Sequence, residues 1–164
     1  MVRVGEPVNV RAASGDDAEH VALFQTAVWR EAYAGLVPQA YLDRVGAAER
    51  LERWSGRFAT GSRRVVLAED GDAVVGVVSW APAEAADVAP VDLKSLYVAA
   101  THRGTGLADR LLATALGSGP ACLWVFADNP RARAFYARHG LAADGEGALD
   151  PDTGLDETRL VRRR

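Results

Sequence analysis

The chain has one cysteine, one lysine and no long apolar run. Cys122 stands alone, so it can close no intrachain disulfide and seed no cysteine metal cluster. The three histidines show no metal-ligand spacing. The longest aliphatic stretch, "AVVGVV" from Ala73 to Val78, falls far short of the ~20 residues that cross a bilayer. The opening "MVRVGEPVNV" lacks the apolar core of a signal peptide, so a cytoplasmic protein is expected. Surplus positive charge is missing as well. A net charge of -3 gives no general attraction to nucleic acid or to an anionic membrane. Lys94 faces eighteen arginines, an imbalance that reads as GC-rich coding rather than as a binding device.

What remains is an ordinary globular composition, 49% apolar and 25% charged, in 164 residues. That length makes one domain over residues 1–164 with a real core, and neither a repeat nor a low-complexity linker divides it. "NVRAAS" reads as a strand, and Ser14 and Asp17 stand at capping-box spacing before a helix. A second helical region spans "PQAYLDRVGAAERLERWSGRF". Three β-rich runs follow: "RRVVLAED", "AVVGVVSWAP" and "VDLKSLYVAA". The chain then alternates: helix "LADRLLATAL", strand "CLWVFAD", helix "NPRARAFYARHG", short strand "LAADG", an acidic loop, and last strand "ETRLVR". This order makes a mixed α/β domain around one sheet.

The stretch "THRGTGLADRLL" puts an arginine and two glycines immediately before a helix. A helix start offers unpaired N–H groups and the positive end of its dipole, which suits an anion. Gly104 and Gly106 would let a phosphate approach where a Cβ would collide, and Arg103 would add a charge-assisted bond. The Gly-Lys-Ser/Thr of a nucleoside triphosphate loop is absent. A dinucleotide fingerprint would need glycine at Asp109, where an acid would repel pyrophosphate. The turn alone also fits an ordinary strand-to-helix connection.

The flanking segments carry a resemblance. "DLKSLYVAATHRGTGLADRLL" resembles motif A of the GNAT superfamily of N-acetyltransferases, with Arg103, Gly106 and Ala108 at its signature positions. "LWVFADNPRARAFYARHGL" resembles motif B through Asn129, Ala132, Phe135, Tyr136 and Gly140. "AVWREAYAGLVPQAYLD" is similar to the first helices of bacterial members, and "ETRLVR" to their last strand. The order is that of the family over nearly the whole chain. Ala100 stands where members often carry proline.

The resemblance implies a mixed, strongly twisted central sheet flanked by helices, with an acetyl-CoA cleft between two splayed parallel strands. It implies pantetheine alongside Leu96, Tyr97 and Val98, and pyrophosphate on the turn of Arg103, Gly104, Thr105, Gly106, Leu107 and Ala108. Asn129 is implied to touch the cofactor, although Asn-Pro is also a standard helix start. Tyr136 would donate to the departing thiolate, although its helical spacing equally suits a core aromatic. Trp29, Tyr33 and Trp80 would line the acceptor pocket or belong to the core.

An alkyl ammonium is neutral in roughly one molecule in 2,500 at pH 7, so a base is needed. Asp92 holds the position of a glutamate that serves some members, and strand alternation would place it with Lys94, Leu96 and Val98. A solvated strand-start aspartate is the competing reading. Glu69 and Glu31 are poorer candidates, and the base stays unassigned. The acidic run "DGEGALDPDTGLDE" reads as a solvated loop that would attract a cationic amine if it folded over the cleft.

The expected activity is acetyl transfer from acetyl-CoA to a primary amine of a small molecule or peptide. It needs no metal and no acetyl-cysteine, since Cys122 reads as core. The expected partners are that amine, with no nucleic acid and no membrane, and with room for a homodimer. A non-catalytic acyl-CoA-binding or sensing module is the alternative; a nicotinamide-binding fold lacks its third glycine and its strand order.

Overall fold

The computed structural model describes residues 7–164. Seven strands form one sheet in the order β1-β2-β3-β4-β5-β7-β6. They are β1 (Asn9–Ala12), β2 (Arg64–Asp70), β3 (Ala73–Pro82), β4 (Val91–Val98), β5 (Ala121–Phe126), β6 (Ala142–Leu149) and β7 (Asp156–Arg162). Helices α1 (Ala18–Ala32), α2 (Gln39–Arg44) and α3 (Ala47–Thr60) precede the main meander, while α4 (Leu107–Leu116) and α5 (Pro130–Arg138) follow β4 and β5.

Alternation along the central strands decides which helices lie on which face. Val66, Ala68 and Val78 point into a cluster with Leu107, Leu111 and Leu112 of α4. Their neighbours Val65, Leu67 and Val77 pack on the other face with Ala18, Val21 and Ala22 of α1 and Trp54 of α3. Each large side chain buried this way is worth roughly 1.5–3 kcal/mol against exposure. A third cluster joins α2 to the end of β5 through Tyr41, Leu42 and Phe126, with Trp29 and Tyr33 packed against it.

The sheet is antiparallel except between β4 and β5. Those two strands pair only at Asp92↔Cys122 and Leu93↔Leu123 and then part, so the far half of β4 has no partner on that edge among the described residues. The expected splay is therefore present.

Three expectations change. The second helical region breaks at Val45 and Gly46 into α2 and α3. The acidic loop is shorter than expected, because β6 runs through Leu149 and pairs with β7 across a register shift between Ala143 and Gly147. The alternation expected for β4 also fails. Ser79 pairs with Ser95 but Trp80 with Leu93, so Lys94 is an extra residue in a bulge. Leu93, Leu96 and Val98 consequently share one core cluster, and Asp92 lies on the opposite face from Leu96 and Val98.

Candidate active site

Two cavities border the parted ends of β4 and β5. The larger, about 570 Å³, is lined by Leu96, Tyr97 and Val98 of β4 and by the turn residues Arg103, Gly104 and Gly106. Ala108, Asn129 and Tyr136 complete the set of expected cofactor residues found there. Thr105 and Leu107 do not line it: the Thr105 hydroxyl donates to the His102 carbonyl at 2.6 Å, and Leu107 is buried in the core.

The local sequence explains the turn. Gly104 and Gly106 have φ of 74° and 85°, in the left-handed region where a Cβ is unfavourable. Nothing lies within 4 Å of a Cβ built at either position, so the space before the turn is open. Gly106 caps α4 without a side-chain acceptor, which leaves the first amides of the helix free for an anion. Arg103 leans toward Glu31, with Nη1 3.5 Å from its carboxylate. His102 is half-buried, and its ring bridges Thr101 at 2.8 Å and Asp70 at 3.0 Å.

On α5, the Asn129 Oδ1 accepts from the Ala132 amide at 3.2 Å, the local reason the helix begins at Pro130. Asn129 also borders both cavities, so cap and cavity wall coincide. Tyr136 is 9% exposed. Burial pushes its hydroxyl well above the ordinary phenol range, and Tyr33 is displaced the same way by the same cause.

The smaller cavity is about 280 Å³. It shares Tyr33, Leu96, Tyr97, Asn129, Ala132 and Tyr136 with the larger one. Trp29 lines it, with the Tyr33 ring edge-on at 4.7 Å, and the buried Trp29 Nε1 has no partner among the described residues. Trp80 lines neither cavity; it packs against the main core cluster.

Asp92 also lines neither cavity. It is 7% exposed, and its Oδ2 accepts from the Lys94 ammonium at 2.6 Å. Glu69 is engaged by Arg11 at 2.8 Å in the ion pair that ties β1 to β2. Sequence reasoning passed over Glu157 as an individual, although it closes the acidic run. Glu157 sits in β7 opposite Phe126 and lines the smaller cavity with Asp150 and Asp152. Burial first, then Asp150 and Asp92, push its carboxyl up to about 7. Its only advance signal was the charge of that run.

A mixed sheet opens between two parallel strands beside a glycine-headed helix, with two cavities meeting at the opening. Residues 61–140 match the family described as the acetyltransferase (GNAT) domain. A Mycobacterium tuberculosis protein named "probable N-acetyltransferase" is 29% identical over 143 residues, covering 84% of this chain and 82% of that protein. The PaiA N-acetyltransferase of Thermoplasma acidophilum, solved with coenzyme A, shares the fold at TM-score 0.72 and 16% identity, covering 97% of this chain and all 100% of that one. YncA of Salmonella typhimurium, solved with its cofactor acetyl-CoA, does so at TM-score 0.67 and 17% identity, covering 96% and 94%.

Proposed function

We propose that this acetyltransferase moves the acetyl group of acetyl-CoA directly to a primary amine of a small molecule or peptide. The observation that carries the reading is the junction of the two cavities at Leu96, Tyr97, Asn129 and Tyr136. A carrier held in one and an amine held in the other meet only there.

The residues present fit acetyl-CoA. The open turn at Gly104 and Gly106 and the free amides opening α4 suit its pyrophosphate, and Arg103 adds charge. The unpaired edge of β4 from Leu96 to Val98 suits its amide-bearing arm. When bound, the cofactor supplies an activated acyl thioester. Tyr136, whose burial makes it hold its proton firmly, donates a hydrogen bond to the sulfur as negative charge grows there. Glu157, near half-ionised at neutral pH, accepts the proton of the incoming ammonium directly or through water. Asp92 is left to fix Lys94, through its ion pair. Cys122 is buried, lines neither cavity and has its thiol pushed up by burial, so it is no acyl carrier.

The reading treats residues 1–164 as one domain working in the cytoplasm, as a monomer or homodimer. No helix among the described residues is long and apolar enough to cross a membrane. The test is thiol release from acetyl-CoA against a panel of primary amines of every charge type, with products identified by mass. Amine-dependent release with a matching acetylated product is expected. Tight acetyl-CoA binding with no amine-dependent release would instead favour an acyl-CoA-sensing module.

A further inference from the structure

The acceptor-side cavity holds more positive charge than its own acids neutralise. Arg53 pairs with Asp152 at 2.9 Å, and Lys94 pairs with Asp92. Arg50 is 3% exposed, donates to the Val45 carbonyl, and lies 5.2 Å from the centre of the Trp29 ring. Those three are structurally spoken for.

Arg57 and Arg63 are not. Both line the cavity, from the end of α3 and the turn into β2. Among the described residues neither makes an ion pair or donates a side-chain hydrogen bond. Both guanidinium groups rest on the buried indole of Trp54, at 4.6 and 6.0 Å from its centre. Like charges gathered on one ring, half out of water, are unfavourable unless an anion joins them. Burial first, then Arg63, push the Arg57 guanidinium down to about 10, the signature of that discomfort.

The acids leave a complementary remainder. Asp152 is taken by Arg53, and Asp150 accepts from the Thr153 amide and hydroxyl. Glu157 alone among these acids has neither an ion pair nor a side-chain hydrogen bond among the described residues. It lies on β7, whereas Arg63 enters β2, and β3, β4 and β5 separate those two strands in the sheet. At about 4.8 Å per strand, the backbones of Glu157 and Arg63 stand roughly 19 Å apart, so their side chains enter the cavity from opposite sides.

We infer that the acceptor is a bipolar small molecule, with its primary amine at Glu157 and a carboxylate, phosphonate or phosphate held between Arg57 and Arg63. Guanidinium pairs recognise such groups through two parallel hydrogen bonds each. A cavity of about 280 Å³ admits an amino acid or a molecule of similar size. A polyamine would set ammonium against guanidinium at the far end. The inference rests on the acetyl-transfer reading and deepens it.

The experiment compares molecules that differ only at the anion: 5-aminovalerate against 5-aminovaleramide, with 3-aminopropylphosphonate, L-glutamate and cadaverine alongside. Expected is at least a tenfold preference in kcat/KM for the anionic amines over the amide. That preference should fall toward one in Arg57→Gln and Arg63→Gln, through KM of the anionic amines. Equal turnover of amide, diamine and acids would overturn the inference and leave acetyl transfer standing. If none of the amines is acetylated, acetyl transfer to amines of this kind fails, and the anion site is judged alone. Inorganic phosphate should then bind the protein saturated with coenzyme A, whose own pyrophosphate fills the glycine turn, and binding should vanish in Arg57→Gln/Arg63→Gln. No phosphate binding there would overturn the site. Each single Gln variant serves if the double variant does not fold.

Discussion

In the proposed mechanism Tyr136 and Glu157 act on the reaction from two sides, so each should leave a separable kinetic mark. Tyr136→Phe keeps the ring in its core position and removes only the donor. We expect turnover to fall about 10²-fold, the lower end of what a positioned acid or oxyanion donor contributes, with acetyl-CoA affinity nearly unchanged. Single-turnover rates and calorimetry together check this. As the proposed base, Glu157 would work only when ionised. Its carboxyl is raised to about 7, so kcat/KM should drop as pH falls through that value, and Glu157→Gln should erase the inflection. Asp92→Asn should retain it. The same shift has a stability sign. From the ordinary carboxylate value up to about 7 the folded protein holds a proton that the unfolded chain has lost. Stability therefore declines as pH rises through that window, and Glu157→Gln should gain in melting temperature relative to wild type at pH 8 but not at pH 4.

At the level of elements, two glycines act for different reasons and give different losses. Gly106 needs its positive φ but has open space in front, so Gly106→Val strains the turn and fills the anion's approach. Acetyl-CoA affinity should fall at least tenfold in a folded protein, as read by calorimetry. Gly76 in β3 has ordinary backbone angles, yet a Cβ there would stand 2.8 Å from Leu111 Cδ1 and 3.2 Å from Ala68 Cβ. Gly76→Val should lower unfolding free energy by roughly 1–3 kcal/mol in denaturant titration, because it overpacks β3 against α4. Local signals of this kind were readable in advance. Asn129-Pro130 and the turn at Gly104 and Gly106 are fixed by their own few residues. The bulge at Lys94 was not readable, because it is a mismatch of β4 with β3 and neither strand shows it alone. Pairing with β7 likewise draws Gly147 and Leu149 into β6 despite a sequence that looks like loop.

Across the whole molecule, the element order and the parted strands were legible because the two glycine- and asparagine-led helix starts occur in family order. The acceptor side was much less so. Arg57, Arg63 and Glu157 come from α3, the turn into β2, and β7, and only the closed sheet brings them to one cavity. Trp80 looked like a pocket aromatic beside Trp29 and Tyr33 until β3 turned it toward the α4 core.

The half-paired edge of β4 has one more consequence, for how long the protein lasts. Among the described residues nothing completes its outer rungs, which a bound pantetheine arm would. Whatever fills them binds the folded state alone and stabilises it by RT ln(1 + [L]/Kd), about 2.7 kcal/mol at a hundredfold excess over Kd. Melting temperature should therefore climb with the logarithm of acetyl-CoA concentration, and β4 amides from Leu96 to Val98 should exchange their hydrogens more slowly when it is present. A cell short of acetyl-CoA would hold this protein in its least durable form. Its abundance would then follow the supply of its own co-substrate, by way of proteolysis rather than transcription.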